Sequence, residues 1–183
     1  MAEGAVLFAG DESSVSRTPT VVGTWAPVGE TPILRHDFTR GRFSALILMS
    51  PCGHVFKDTV EGSFSGERIL ANLKALIETV QGKIVVLLDG ASIHWTREIT
   101  QWLALPEIAA RLTVEKFPAY APDLNPVELL NSAAKRRMGN FAAESMDALR
   151  DKFKTAFTAT REEIANYFRS ALAVTFQHRP LLM

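Results

Sequence analysis

At 183 residues the chain is long enough to enclose one full hydrophobic core, and length favours one domain over two. A composition 47% hydrophobic and 22% charged is that of an ordinary globular protein and excludes disordered and membrane classes. Lys+Arg and Asp+Glu are both 20, so the bulk positive charge of an autonomous DNA-binding module is absent. The longest apolar run, Ile84 to Leu88, is too short to span a bilayer, and Asp11-Glu12 interrupts the only signal-like segment, Ala5 to Ala9. One cysteine, Cys52, makes neither an intrachain disulfide nor a cysteine-rich zinc site, and a reducing, cytoplasmic setting fits.

The first third reads as β structure. Val6 to Ala9 is a short apolar strand that ends at Asp11. Thr20 to Trp25 is β-branched and strand-like, and Ala26-Pro27-Val28-Gly29 fits a type I turn with proline second and glycine fourth. Phe43 to Met49 is a further apolar strand, and His54 to Lys57 continues the sheet after the turn Pro51-Cys52-Gly53. Helix and strand then alternate. Ile69, Leu70, Leu73, Leu76, Ile77 and Val80 form one helical face, closed by Gly82 at C′. Ile84 to Leu88 is continuously apolar, as a parallel strand covered on both faces is. Ile99, Trp102 and Leu103 mark a helix that Pro106 ends, and Leu112 to Phe117 is strand-like. A helix starts near Pro126 and runs to about Met138, where Gly139-Asn140 stops it. Ser145 caps a last helical region carrying Leu149, Phe153, Phe157, Ile164, Phe168 and Leu172, which Thr158-Ala159-Thr160 divides in two. Pattern alone gives an α/β protein with antiparallel hairpins first and parallel strands later.

Three carboxylates stand at positions where chemistry gathers. Asp89 follows the most buried-looking strand, and functional groups collect beyond the carboxyl ends of parallel strands. Glu128 lies in the first turn of a helix started by Asn125-Pro126, and Asp11 follows the first strand. Such a trio can converge on a divalent cation. Each also has a plainer reading. Asp89-Gly90 is a common turn pair, Asn125 with Glu128 at N3 is a capping box, and Asp11-Glu12 fits a solvated loop. With 20 acidic residues in the chain, a trio alone is weak.

Four blocks in order change that balance: Asp11-Glu12-Ser13, then Gly23 to Pro32, then Asp89-Gly90-Ala91-Ser92-Ile93-His94, then Pro122-Asp123-Leu124-Asn125-Pro126-Val127-Glu128. In order and spacing they resemble the catalytic domain of bacterial insertion-sequence transposases of the mariner-related DDE superfamily, and the last block is the most specific. The resemblance implies a ribonuclease H-like fold: a mixed sheet, its first three strands antiparallel and the later ones parallel, flanked by helices. It also implies metal-dependent DNA strand cleavage and transfer. Asp11, Asp89 and Glu128 would be the catalytic residues and would hold Mg²⁺ or Mn²⁺, as two ions clamping the attacking and leaving oxygens.

His94 would contact DNA or orient a water, with a packed structural histidine as the alternative. Lys135 lies at i+7 from Glu128 and, with Arg136, would meet phosphates, whereas Arg137 reads as a solvated charge. Trp95 and Trp102 read as core residues before base-stacking ones. The expected partners are transposon-end and target DNA, and a second copy or a separate DNA-binding segment. The whole chain, 1–183, is expected to be one catalytic domain, with the family's helix-turn-helix region outside it. An inactive remnant that only binds DNA or a partner, or a nuclease without strand transfer, are the competing readings. Two positions depart from the family. Residue 90 is glycine rather than asparagine. Residue 131 is asparagine where tryptophan is expected: an amide in the core is costly if nothing compensates, so either the helix packs differently here or the copy is decaying.

Overall fold

The computed structural model describes residues 4–37 and 39–177. Five strands form one mixed sheet in the order β3-β2-β1-β4-β5. β1 (Val6–Ser16), β2 (Arg42–Met49) and β3 (Val55–Glu61) make an antiparallel meander, and β4 (Ile84–Leu88) and β5 (Leu112–Lys116) join parallel to β1. The helices are α1 (Gly66–Thr79), α2 (Arg97–Leu103), α3 (Pro106–Ala109), α4 (Pro126–Arg137), α5 (Met146–Ala156) and α6 (Arg161–Gln177).

Alternation along β1 divides the core in two. Ala9 and Val15 pack with Val127, Leu130 and Ala134 of α4 and with apolar residues of α5 and α6. Phe8 points the other way, into a cluster with Ile69, Leu73 and Leu76 of α1 and Ile99 of α2. Successive strand side chains face opposite sides, so Asp11 falls on the α4 side and Glu12 on the α1–α2 side. That parity sets the partners of both.

β1 does not stop at Asp11. It runs on to Ser16, because β2 offers a continuous ladder from Ala9↔Met49 to Ser16↔Arg42 that satisfies the backbone of a polar stretch. Asp11 is therefore held inside a strand. Thr20 to Trp25 is not a strand. It has no neighbour to pair with, and Asn140 takes a neighbour's place: its Oδ1 accepts the Val22 N–H and its Nδ2 donates to Val22 O, both at 2.9 Å. The following turn is one residue later than its composition suggests. Glu30 N donates to Pro27 O at 3.0 Å, which puts Gly29 third in the turn with φ of 88°, the place where a type II turn needs a positive φ.

α1 ends with Val80 as its C-cap, so Gly82 lies one position beyond C′. Pro106 opens the short α3 rather than only closing α2. Thr158 to Thr160 do separate α5 from α6. No helix among the described residues is long and apolar enough to cross a membrane.

Candidate active site

The β1–β4 register runs from Val6↔Ile84 to Ala9↔Leu87. Two residues further along each strand are Asp11 and Asp89, side by side where β4 ends and β1 continues. A Cβ on Gly10, beside Asp11, would come within 2.5 Å of Leu48 Cδ2 and 2.6 Å of Leu88 Cδ2, so those side chains would have to shift.

Glu128 arrives from α4. Asn125, 5% exposed, caps that helix through Oδ1, which accepts Val127 N–H at 3.1 Å. Its Nδ2 donates to Gly10 O at 3.1 Å, tying the helix start to β1 one residue before Asp11. The reciprocal capping-box bond is not made, because Asn125 N–H donates to Pro122 O at 2.9 Å instead. The Glu128 carboxylate is thus not spent on the cap. Asp11, Asp89 and Glu128 line one cavity of about 550 Å³, together with Gly90, Lys116 and the loop Pro118 to Pro122.

Asp11 is pushed up to about 7, first by burial and then by the charges of Glu128, Glu12 and Asp89, against a weaker lowering by the Glu12 N–H. The cavity therefore gathers negative charge. Its hard oxygen donors suit a divalent cation such as Mg²⁺, which keeps several waters and needs few protein ligands. Among the described residues no group of three or more His, Cys, Asp or Glu side chains stands ready to hold an ion as it is. The fit is one of donor chemistry around a shared space, with room for water, rather than of a preassembled cage.

Asp89 is held differently. Its Oδ1 accepts Ala91 N–H at 2.9 Å and lies 2.8 Å from His94 Nδ1. The other ring nitrogen, Nε2, is 2.6 Å from Glu12 Oε1. Burial alone would lower the His94 pKa. The hydrogen bond and charge of Glu12, joined by Asp89, outweigh burial and hold it above the ordinary histidine value. An imidazolium donating to both carboxylates satisfies this geometry. The expectation that His94 contacts DNA is corrected here: the side chain is 0% exposed and both ring nitrogens are taken within the protein.

Lys135 and Arg136 are exposed, but α4 carries them away from the acidic cavity. Lys135 lines a separate recess with Ser14, Ser16, Thr18 and Phe141. Arg137 is structural, donating to Ala156 O and Thr158 O at 2.9 and 2.7 Å and so bracing α4 against the end of α5. Trp95 donates its indole N–H to Asp89 O at 3.0 Å, with Lys116 Nζ 4.5 Å from its ring centroid. Trp102 packs against the α1-side core.

Sequence reasoning did not find Glu12 or Lys116 as members of the site. Strand alternation would have set Glu12 on the opposite face from Asp11, but nothing in the sequence links it to His94, 82 residues away. Asn131, expected as an orphan in the core, is one only at its Oδ1, which has no hydrogen-bond partner among the described residues. It is buried at 1% exposure, yet its Nδ2 donates to Asp11 Oδ2 at 2.6 Å. The amide is therefore part of the site's surroundings, and the case for decay loses its main support.

A five-stranded mixed sheet with one carboxylate inside its central strand, one beyond the end of the neighbouring parallel strand and one at a helix start is the arrangement of a ribonuclease H-like nuclease domain. The sequence profile of the DDE superfamily endonucleases matches residues 6–150, a stretch that includes all three carboxylates, and the chain belongs to that family.

Among solved structures, the fold is shared with Mos1 transposase. Its paired-end complex with the left transposon end is 18% identical with a TM-score of 0.71, over 93% of this chain and 52% of that one. The Mos1 strand transfer complex is 18% identical with a TM-score of 0.70, over 93% and 52%. The mariner Mos1 paired-end complex with Mg is 16% identical with a TM-score of 0.70, over 94% and 53%. The chain thus spans about half the length of the transposase chains it matches, and the likeness is one of fold. No curated protein matches the sequence.

Proposed function

We propose that this domain performs divalent-metal-dependent cleavage and transfer of DNA strands in the transposition of a bacterial insertion sequence. The observation that carries the reading is that Asp11, Asp89 and Glu128 of a DDE endonuclease domain open onto one cavity. Support for the particular reaction comes from the Mos1 neighbours, which include a complex with transposon ends, a strand transfer complex and complexes with Mg and Mn. By the same likeness, Asp11, Asp89 and Glu128 would hold Mg²⁺ or Mn²⁺, as two ions.

A bound divalent cation supplies charge neutralisation and Lewis acidity at the reacting phosphate. The protein's part is positioning. β1 and β4 fix two carboxylates side by side, α4 brings the third, and the loop Pro118 to Pro122 walls the cavity. Water attacks phosphorus at the element's end, the bond from phosphorus to the 3′ oxygen breaks, and a 3′-hydroxyl is released. That hydroxyl then attacks a target phosphodiester, joining the strands with loss of a target 3′-hydroxyl. Neither step needs a covalent protein intermediate.

Lys116, on the cavity wall, and the exposed Lys135 and Arg136 are proposed phosphate contacts. With a net charge of zero, such contacts give weak, salt-sensitive binding without sequence preference. Recognition of specific ends is accordingly assigned to a DNA-reading segment or partner beyond this catalytic unit, acting with a further copy. The setting proposed is the cytoplasm.

The test is nicking of supercoiled plasmid with Mg²⁺ or Mn²⁺, and joining of a labelled 3′-hydroxyl oligonucleotide to plasmid. Metal-dependent nicking and joining are expected, with both lost in Asp11→Ala, Asp89→Ala and Glu128→Ala. Nicking without joining would make the protein a nuclease only. Absence of both would make it a non-catalytic relative.

A further inference from the structure

We propose that Asn131 is a positioning residue of the acidic site, holding the Asp11 carboxylate by one oxygen and leaving the other for a ligand in the cavity. The inference rests on the reading of Asp11 as a metal ligand and adds a residue on which that ligand depends.

Asn131 lies three residues after Glu128 on α4, so the two share one side of the helix. Glu128 reaches the cavity and Asn131 turns inward beneath it. Its neighbours on α4, Val127, Leu130 and Ala134, are apolar and no more than 1% exposed. In that setting an amide is expensive unless both of its ends are bonded. Only one is: Nδ2 donates to Asp11 Oδ2 at 2.6 Å, while the buried Oδ1 has no hydrogen-bond partner among the described residues.

Packing does not account for this residue. Leucine has the same branching at Cγ, would join the surrounding apolar cluster and would remove the unsatisfied oxygen. What leucine lacks is the donor to Asp11. A carboxylate inside a strand keeps its χ2 torsion free unless a neighbour fixes it. Asn131 supplies that constraint on the α4 side, as the Ala91 N–H and His94 do for Asp89. Partners that orient a ligand in this way typically govern metal affinity by 10–100-fold.

The experiment measures free Mn²⁺ by electron paramagnetic resonance against wild type, Asp11→Ala, Asn131→Leu and Asn131→Ala, with melting curves taken without metal. Wild type should bind Mn²⁺, and Asp11→Ala should not. Asn131→Leu should bind about tenfold more weakly or worse, although its metal-free melting midpoint is unchanged or raised. Should leucine prevent folding, Asn131→Ala, which only removes atoms, carries the same expectation for affinity. Wild-type Mn²⁺ affinity in a folded Asn131 variant, with Asp11→Ala still deficient, would reduce Asn131 to a packing residue and leave the metal site standing. Failure of wild type itself to bind Mn²⁺ would overturn both.

Discussion

Asp11 and Asp89 sit at matching heights on neighbouring parallel strands, yet the protein treats them in opposite ways. Asp89 stands at a strand end with 53% of its side chain exposed, bonded by a backbone N–H and a buried histidine. Asp11 is set within a longer strand, largely enclosed, bonded through Oδ2 by Asn131 and sharing its cavity with the carboxylates of Glu128 and Asp89. One has its partners within the protein. The other is raised to about 7 and awaits a counter-charge from outside. Under the proposed function a cation entering the cavity would relieve that charge, which is how function and stability come to oppose each other at such positions.

The largest effect should come from removing the side chain that keeps Asp89 content. His94→Ala leaves Glu12 and Asp89 without their shared partner and opens a cavity. Thermal or urea unfolding should show a loss of about 2–3 kcal/mol, below the figure for a fully buried pair because Asp89 is half exposed. An unchanged stability would mean that the Glu12–His94–Asp89 bridge is incidental.

Asp11→Asn should act in the opposite direction. It removes the uncompensated charge and should stabilise the metal-free protein by about 2 kcal/mol, roughly half of what the displacement from the ordinary 3.8 to about 7 would represent at about 1.4 kcal/mol per pH unit. The same variant should lose cleavage.

The pH dependence has a definite sign. A carboxyl raised on folding disfavours the folded state as pH climbs from its ordinary value of 3.8 through its folded value of about 7. The raised histidine contributes stability that is full below its ordinary value of 6.5 and lost as pH passes its folded value. Both lower metal-free stability as pH rises, Asp11 between 3.8 and about 7 and His94 from 6.5 upward. Asp11→Asn should flatten that fall, and so should millimolar Mg²⁺. A wild-type midpoint that rises with pH across this range would contradict the protonation assigned to Asp11.

The smallest effect is expected at Gly90. A Cβ there would meet nothing within 4 Å, so Gly90→Asn has room for its side chain. It should shift stability by less than about 0.5 kcal/mol. A large loss would show that the turn after β4 needs glycine for its backbone.

Much of this was legible in the sequence, and the failures that bear on the site share one cause. β2, β4, α1 and α4 carry their own signals: apolar runs of strand length, a helical stripe, an Asn-Pro start. So does the placement of Asp89 and Glu128. The polar half of β1 does not, because Asp11 to Ser16 is strand only by virtue of β2 beside it. Thr20 to Trp25 has strand composition but no neighbouring strand, and Val21 and Trp25 are 76% and 99% exposed. His94 and Asn131 failed for the same reason. Their partners, Glu12 and Asp11, lie 82 and 120 residues away along the chain. Local pattern cannot distinguish a buried polar residue without a partner from one whose partner arrives by folding.

The measurement that bears most directly on the site is an anomalous difference map from crystals grown with Mn²⁺. The expected result is a peak in the cavity, within inner-sphere distance of oxygens from Asp11 and Asp89 and near Glu128, with Asn131 still bonded to Asp11. A cavity free of anomalous density at saturating Mn²⁺, or a peak bound elsewhere on the domain, would contradict the claim that these three carboxylates share a metal.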